Sequence, residues 1–205
     1  MGLTLWLVPS AADSARLKKI MDARPTSQST SDASYPAFQP HITLAALPDP
    51  VPSLAAILAA IPETQHALPI TFDSVEVGDH FFRSVYLAAR PSPALFDLHA
   101  HVHSALHIAP KTLKFPHISL CYINDEDAAA GERTRYFQAL KDAGRIRGDG
   151  NSVSLNCGEP EGDDWMSGFE LPEIWIARCE GPVETWTVER KIALKGADIG
   201  RGKFV

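Results

Sequence analysis

Hydrophobic and polar positions divide the chain into short alternating runs. Leu3 to Val8 alternates weakly and stops at Pro9, the pattern of a first strand. Ser10 then opens "SAADSARLKKIMDAR", where Leu17, Ile20 and Met21 recur at helical spacing behind a good N-cap residue. The polar stretch "PTSQSTSDASYPAF" predicts a surface loop, with residues 25–37 a candidate lid. A strand follows up to Leu47, then a short apolar helix, "SLAAILAAI", capped by Ser53 and stopped by Pro62. "LPITFDSVEVGDHFFRSVYLAAR" predicts a hairpin that turns at Gly78-Asp79. Ser92-Pro93 starts another helix, an N-cap followed by proline at the first helical position. A strand from Phe115 to Ile123 comes next, then a single helix over "DEDAAAGERTRYFQALKDAG" that ends near Gly144. Three strand-like runs, "SVSLNC", "EIWIARC" and "TWTVERKIAL", close the chain. In both halves a helix and a loop lead into a strand, which predicts two α/β lobes facing each other.

Two of these strands carry nearly the same text: "PHITLAAL", Pro40 to Leu47, and "PHISLCYI", Pro116 to Ile123. Side chains at i and i+2 of a strand share a face. His41 and Thr43 therefore project together while Ile42 and Leu44 turn to the core; His117 and Ser119 do the same above Ile118 and Leu120. The preceding proline keeps each entry extended and removes a backbone donor. Each motif thus delivers one imidazole and one hydroxyl on an apolar backing, half a site given twice.

Two imidazoles flanking a pocket floored by two hydroxyls can act as a base and an acid in one step, because imidazole titrates nearest neutrality. The hydroxyls can donate to non-bridging phosphate oxygens. In-line displacement at phosphorus suits this set, and it needs neither a nucleophilic side chain nor a metal or cofactor.

Composition narrows the substrate. The chain has 205 residues, long enough for one large domain or two lobes sharing a core. A formal charge of −6 and a pI near 5.7 argue against a surface that tracks long nucleic acid, since each phosphate contact needs a cation. A small anionic substrate needs only local donors. Three cysteines, Cys121, Cys157 and Cys179, have no metal spacing and read as reduced thiols of an intracellular, cytoplasmic protein. No apolar run approaches a membrane span.

The motifs "HITL", His41 to Leu44, and "HISL", His117 to Leu120, resemble those of the 2H phosphoesterases. "LTLWLVP" and "FFRSVYL" extend the likeness over the whole chain, most closely toward the small plant and fungal 2′,3′-cyclic-nucleotide phosphodiesterases. The resemblance implies one bilobal α+β domain over residues 1–205, with two mainly antiparallel sheets lining a central cleft and helices outside. It implies metal-independent opening of 2′,3′-cyclic nucleotides to 2′-phosphates. It extends to ADP-ribose 1″,2″-cyclic phosphate, the by-product of tRNA splicing. In that reading His41 and His117 are catalytic, with His117 assigned as base and His41 as acid. Thr43 and Ser119 hold the phosphate. Trp6, Phe82 and Tyr122 are the candidate stacking residues for the nucleoside, each equally readable as a core aromatic.

Three rivals stay open: a phosphodiesterase for RNA ends or 2′,5′ linkages, a non-catalytic module binding cyclic phosphate, and a zinc enzyme built on His99, His103 and His107. Those three recur at i, i+4 and i+8 but lack the intervening carboxylate of a zinc helix, so a solvent-facing stripe is the simpler expectation. Lys111 and Lys114 are either solvated or steer an anion. "EPEGDDWMSGF", residues 159–169, reads as an acidic surface loop or lid without calcium-loop spacing.

Overall fold

The computed structural model describes residues 2–25, 30–112, 114–148, 150–158 and 162–196. The tip of the loop expected as a lid, residues 26–29, and residues 159–161 of the acidic segment lie outside the described residues. The fold is α+β, built on antiparallel sheets.

The first sheet runs β11-β10-β1-β2, with β1 Leu3–Val8, β2 Ile42–Ala46, β10 Glu173–Arg178 and β11 Thr187–Ala193. The second runs β5-β4-β3-β9, with β3 Leu68–His80, β4 Arg83–Ala89, β5 His117–Cys121 and β9 Gly168–Leu171. A small third sheet joins β6 Ile146–Gly148, β7 Val153–Asn156 and β8 Trp165–Met166. Both motif strands, β2 and β5, are edge strands, and they approach each other where the large sheets meet. Helix α1, Ala11–Met21, packs near β5, while α3, Pro93–Ala105, packs near β2. Each half therefore backs the motif strand of the other.

Serine caps start the first helices as the sequence predicts. Ser10 accepts from the Asp13 N–H at 3.1 Å, Ser53 opens α2 (Leu54–Ala59) through the Ala56 N–H at 3.2 Å, and Ser92 opens α3 through the Leu95 N–H at 3.3 Å. Strand β1 is buried on both faces. Leu3, Leu5 and Leu7 join the main core, whereas Trp6 and Val8 join a smaller cluster with Ala177 and Cys179. All three cysteines are free and buried. No helix among the described residues is long and apolar enough to cross a membrane.

Two expectations need correction. The hairpin does not turn at Gly78-Asp79, which lie inside β3; the chain reverses at Phe81 and Phe82, between the paired residues His80 and Arg83. Gly78 serves close approach instead, because a Cβ there would collide with the Arg83 carbonyl oxygen. The expected long helix is two, α4 Asp125–Ala129 and α5 Glu132–Asp142, separated at Gly131 with φ +89°. A left-handed residue there ends one helix and re-aims the next. Glu132 opens the second with a buried carboxylate that accepts from the Tyr35 hydroxyl at 2.6 Å and Arg135 Nε at 2.8 Å.

Candidate active site

His41, just ahead of β2, and His117, the first residue of β5, open onto one cleft of about 250 Å³. Thr43, Ser119, Trp6, Phe82 and Tyr122 line it too, so the two histidines, the two hydroxyls and the three stacking candidates reach the same place. Alternation explains the delivery. Ile42, Leu44, Ile118 and Leu120 are fully buried, which turns the intervening side chains toward the cleft.

The two half-sites share a local plan. Trp6 pairs with Thr43 across β1 and β2, and its ring stacks on His41 with centroids 3.9 Å apart and planes 14° apart. Tyr86 pairs with Ser119 across β4 and β5, and its ring meets His117 edge-on at 5.4 Å. In each half, the neighbour of the motif hydroxyl is an aromatic that fixes the motif histidine. The imidazoles are also oriented through the backbone. Nδ1 of His41 lies 2.6 Å from the Gln39 carbonyl oxygen, and Nδ1 of His117 lies 3.0 Å from that of Lys114. A carbonyl can only accept, so both Nδ1 atoms carry hydrogen, and each neutral ring keeps its Nε2 lone pair for chemistry.

Burial acts against protonation. It pulls His41 down to about 4, partly offset by the Gln39 carbonyl and reinforced by His117. His117 is also pulled below its ordinary value by burial, with the Lys114 carbonyl opposing and Arg83 adding to the effect. The hydroxyls differ as well. Ser119 Oγ donates to the Phe82 carbonyl oxygen at 2.6 Å, while Thr43 has no side-chain hydrogen bond among the described residues.

The aromatic residues fall in two groups. Trp6 is 4% exposed with one face covered by His41, and Tyr122 is 3% exposed with its ring stacked on Phe38 at 3.9 Å. Both line the cleft while packing as core. Tyr122 reaches it because the strand ends at Cys121, which frees it from the alternation that would turn it away. Phe82 lies in the hairpin turn rather than on the strand expected for it, half-buried beside Trp186 at 5.7 Å.

Sequence reasoning missed Trp186, Arg83, His80, Thr4 and Cys179 on the cleft wall. Trp186 follows a 3-10 turn, Val183–Thr185, and no local pattern ties it to either motif. Arg83 had a signal: it begins the strand that runs beside the second motif. Lys111 lines the cleft, while Lys114 contributes the carbonyl that holds His117.

The histidine stripe does not face solvent as a row: His103 is buried, His99 half-buried and His107 exposed. His103 is 4% exposed, with Nδ1 2.7 Å from the His99 carbonyl oxygen, and His99 packs between His103 and Phe115 at 4.1 and 4.2 Å. Apolar packing against Phe115 outweighs hydration there. His107 lies beyond the helix with φ 54°. No group of three or more metal-ligating side chains converges among the described residues. The acidic segment is partly strand, and Asp164 is bound by Arg16 at 2.9 Å.

The family model of the cyclic phosphodiesterase-like proteins matches residues 1–194. The chain belongs to that family. It is a cyclic phosphodiesterase of the 2H phosphoesterase type. A curated relative, the 2′,3′-cyclic-nucleotide 3′-phosphodiesterase of Kluyveromyces lactis, is 25% identical over 96% of this chain and 100% of its own. Two solved structures share the fold: E. coli LigT complexed with 3′-AMP (TM-score 0.54, 17% identity, 94% and 97% covered) and TT0787 of Thermus thermophilus (0.53, 17%, 96% and 99%).

Proposed function

We propose that residues 1–205 work as one bilobal phosphodiesterase domain that hydrolyses 2′,3′-cyclic nucleotides to nucleoside 2′-phosphates without metal or cofactor. The activity extends to ADP-ribose 1″,2″-cyclic phosphate, the cyclic by-product of tRNA splicing. The observation that carries the reading is the pair of carbonyl-anchored imidazoles, each with a free Nε2, opening onto one cleft beside the motif hydroxyls. The name of the K. lactis relative supports the bond chosen, since opening the 3′-linkage leaves a 2′-phosphate. A cleft of about 250 Å³ suits a mononucleotide better than a polymer, as does the net charge of −6. Three buried free thiols support an intracellular setting.

One Nε2 removes a proton from water, whose oxygen attacks phosphorus in line with the 3′ oxygen. The P–O3′ bond breaks, and the other histidine gives its Nε2 proton to that oxygen. Depth of burial supports His41 as the base and His117 as the acid, the reverse of the assignment made from sequence. With a pKa of about 4, His41 is neutral at pH 7, and as an acid it would be charged in only about one molecule in a thousand. His117 sits nearer solvent and loses less of its basicity. Of the two rings, His117 is then the readier to carry the proton that the leaving oxygen needs, and His41 the readier to stay neutral as base. Thr43, free to donate, binds a non-bridging oxygen.

The test is product analysis with 2′,3′-cyclic AMP and excess chelator, for the wild type, His41→Ala and His117→Ala. Wild type alone should accumulate 2′-AMP. Turnover that persists in either variant, or that needs added metal, would sink the two-histidine scheme. Binding by all three proteins with no turnover would leave a recognition module.

A further inference from the structure

The two motifs by themselves supply no permanent positive charge for the phosphate. Both imidazoles are held toward neutrality by burial, yet a cyclic phosphodiester carries one negative charge and gains more as water attacks. No carboxylate lines the cleft among the described residues, and its permanent cations are Arg83 and Lys111. In a chain of net charge −6 this composition is selective. Lys111 is exposed; the Arg83 side chain is 13% exposed, begins β4 directly after the hairpin turn, and carries its guanidinium 5.9 Å above the Tyr86 ring that packs on His117.

Arg83 is also under-used by the protein. Of its five N–H donors, one meets an acceptor among the described residues, Asp79 at 2.8 Å, whose side chain is 88% exposed. An ion pair with so exposed a partner holds little. Nε and Nη1 have no protein acceptor among the described residues. On the same side of the cleft, the Ser119 hydroxyl already gives its proton to the Phe82 carbonyl. The half-site of Thr43 keeps a free hydroxyl donor; the half-site of Ser119 has its hydroxyl engaged and a guanidinium beside it.

We propose that Arg83 binds a non-bridging oxygen of the substrate phosphate, taking on the His117 side the part that Thr43 plays on the His41 side. The inference rests on the cyclic-phosphate reading of the cleft and adds a third kind of group to its chemistry. A planar guanidinium supplies two parallel donors to one phosphate and stays charged at every working pH. Its charge also opposes protonation of His117, so it links substrate binding to the acid.

The experiment measures inorganic phosphate binding and imidazole titration by NMR on wild type, Arg83→Gln, Arg83→Lys and Asp79→Asn, beside turnover of 2′,3′-cyclic AMP. Arg83→Gln should weaken phosphate binding and kcat/KM by about tenfold or more, the loss of one charge-assisted contact. Arg83→Lys should recover part of both. Asp79→Asn should stay within about twofold, since its pair is solvated. His117 should titrate at higher pH in Arg83→Gln while His41 stays held down by burial, a split that loss of fold, which would release both rings, would not produce. Phosphate binding unchanged in Arg83→Gln, or equal losses in Asp79→Asn and Arg83→Gln, overturns the role. If the wild type binds phosphate through Arg83 but opens no cyclic nucleotide, the anion contact stands and the hydrolase reading fails. If the wild type turns over and Arg83→Gln matches it, the reverse holds.

Discussion

Replacing His41 by asparagine should flatten the acid dependence of folding stability. In the unfolded chain an imidazole titrates near its ordinary value of about 6.5. In the native protein burial beneath Trp6 holds His41 down to about 4, with the Gln39 carbonyl opposing that shift and the charge of His117 adding to it. As pH falls from 6.5 to 4 the unfolded chain binds a proton that the folded site refuses, so stability drops across that window. Above 6.5 neither state is charged and the residue contributes no pH dependence; below 4 both are charged and the loss is complete. One proton gives a slope of about 1.4 kcal/mol per pH unit and a total near 3 kcal/mol. That is a large share of the roughly 5–15 kcal/mol available to a domain. The assay is urea unfolding of wild type and His41→Asn at pH 7.5, 6.5, 5.5 and 4.5. The decisive quantity is the difference in slope, because the variant also loses a ring stack, which shifts its stability equally at every pH. His99 and His117 contribute to both proteins and largely cancel. Wild-type and variant curves that run parallel from pH 7.5 to 4.5 would refute the claim that burial keeps His41 neutral, and with it the choice of His41 as base.

Two further perturbations probe how the cleft is held and what fills it. Ser84 is fully buried; its hydroxyl donates to the Phe81 carbonyl at 2.9 Å and accepts from the Ile123 N–H at 2.9 Å and Arg133 Nε at 3.3 Å. Ser84→Ala should cost about 1–3 kcal/mol by orphaning those donors. It should also speed hydrogen exchange at the Ile123 amide, and unchanged exchange there would show that the hydroxyl does not fasten the turn. Trp186 is more open than Trp6 or Tyr122 and faces Phe82 and Tyr122 at 5.7 and 6.3 Å. Trp186→Ala should raise KM for 2′,3′-cyclic AMP by about tenfold, one lost stacking contact, while inorganic phosphate binding stays unchanged. A KM within twofold of wild type would remove Trp186 from the nucleoside site.

Legibility in the sequence followed the range of the forces involved. Strand alternation acts over two residues, so Ile42, Leu44, Ile118 and Leu120 announced which way the motif side chains point. Caps act over three, and Ser10, Ser53 and Ser92 were plain for the same reason. The turn at Phe81-Phe82 was hidden because Gly78 carries a turn residue's signature for a different purpose, the passage of the Arg83 carbonyl. Gly131 was hidden for the opposite reason: the text on either side of it is helical, and only its left-handed φ breaks the run. The short strands β6, β8 and β9 depend on partners far along the chain, as β9 does on β3, and left no periodic trace. The cleft divides along the same line. Its two histidines are written in two local motifs and Arg83 begins the strand beside the second, whereas Trp186 enters through tertiary packing that no window of sequence contains.

Duplicated half-sites pose a problem that the duplication itself does not solve. A symmetric pair of imidazoles has no reason to move a proton one way, yet hydrolysis needs one ring empty and the other loaded. The surroundings break the tie. His41 lies parallel beneath the Trp6 indole, 8% exposed, where a charge is costly. His117 meets Tyr86 edge-on, stands nearer solvent, and has a guanidinium beside it that a bound phosphate would neutralise. That cation discourages His117 from holding a proton; in the proposed scheme, phosphate on Arg83 would cancel the discouragement and let the acid load as substrate arrives. In the proposed mechanism, the departure from symmetry, a free Thr43 on one side and an engaged Ser119 with Arg83 on the other, is therefore what would give two copies of one motif opposite roles in a single proton relay.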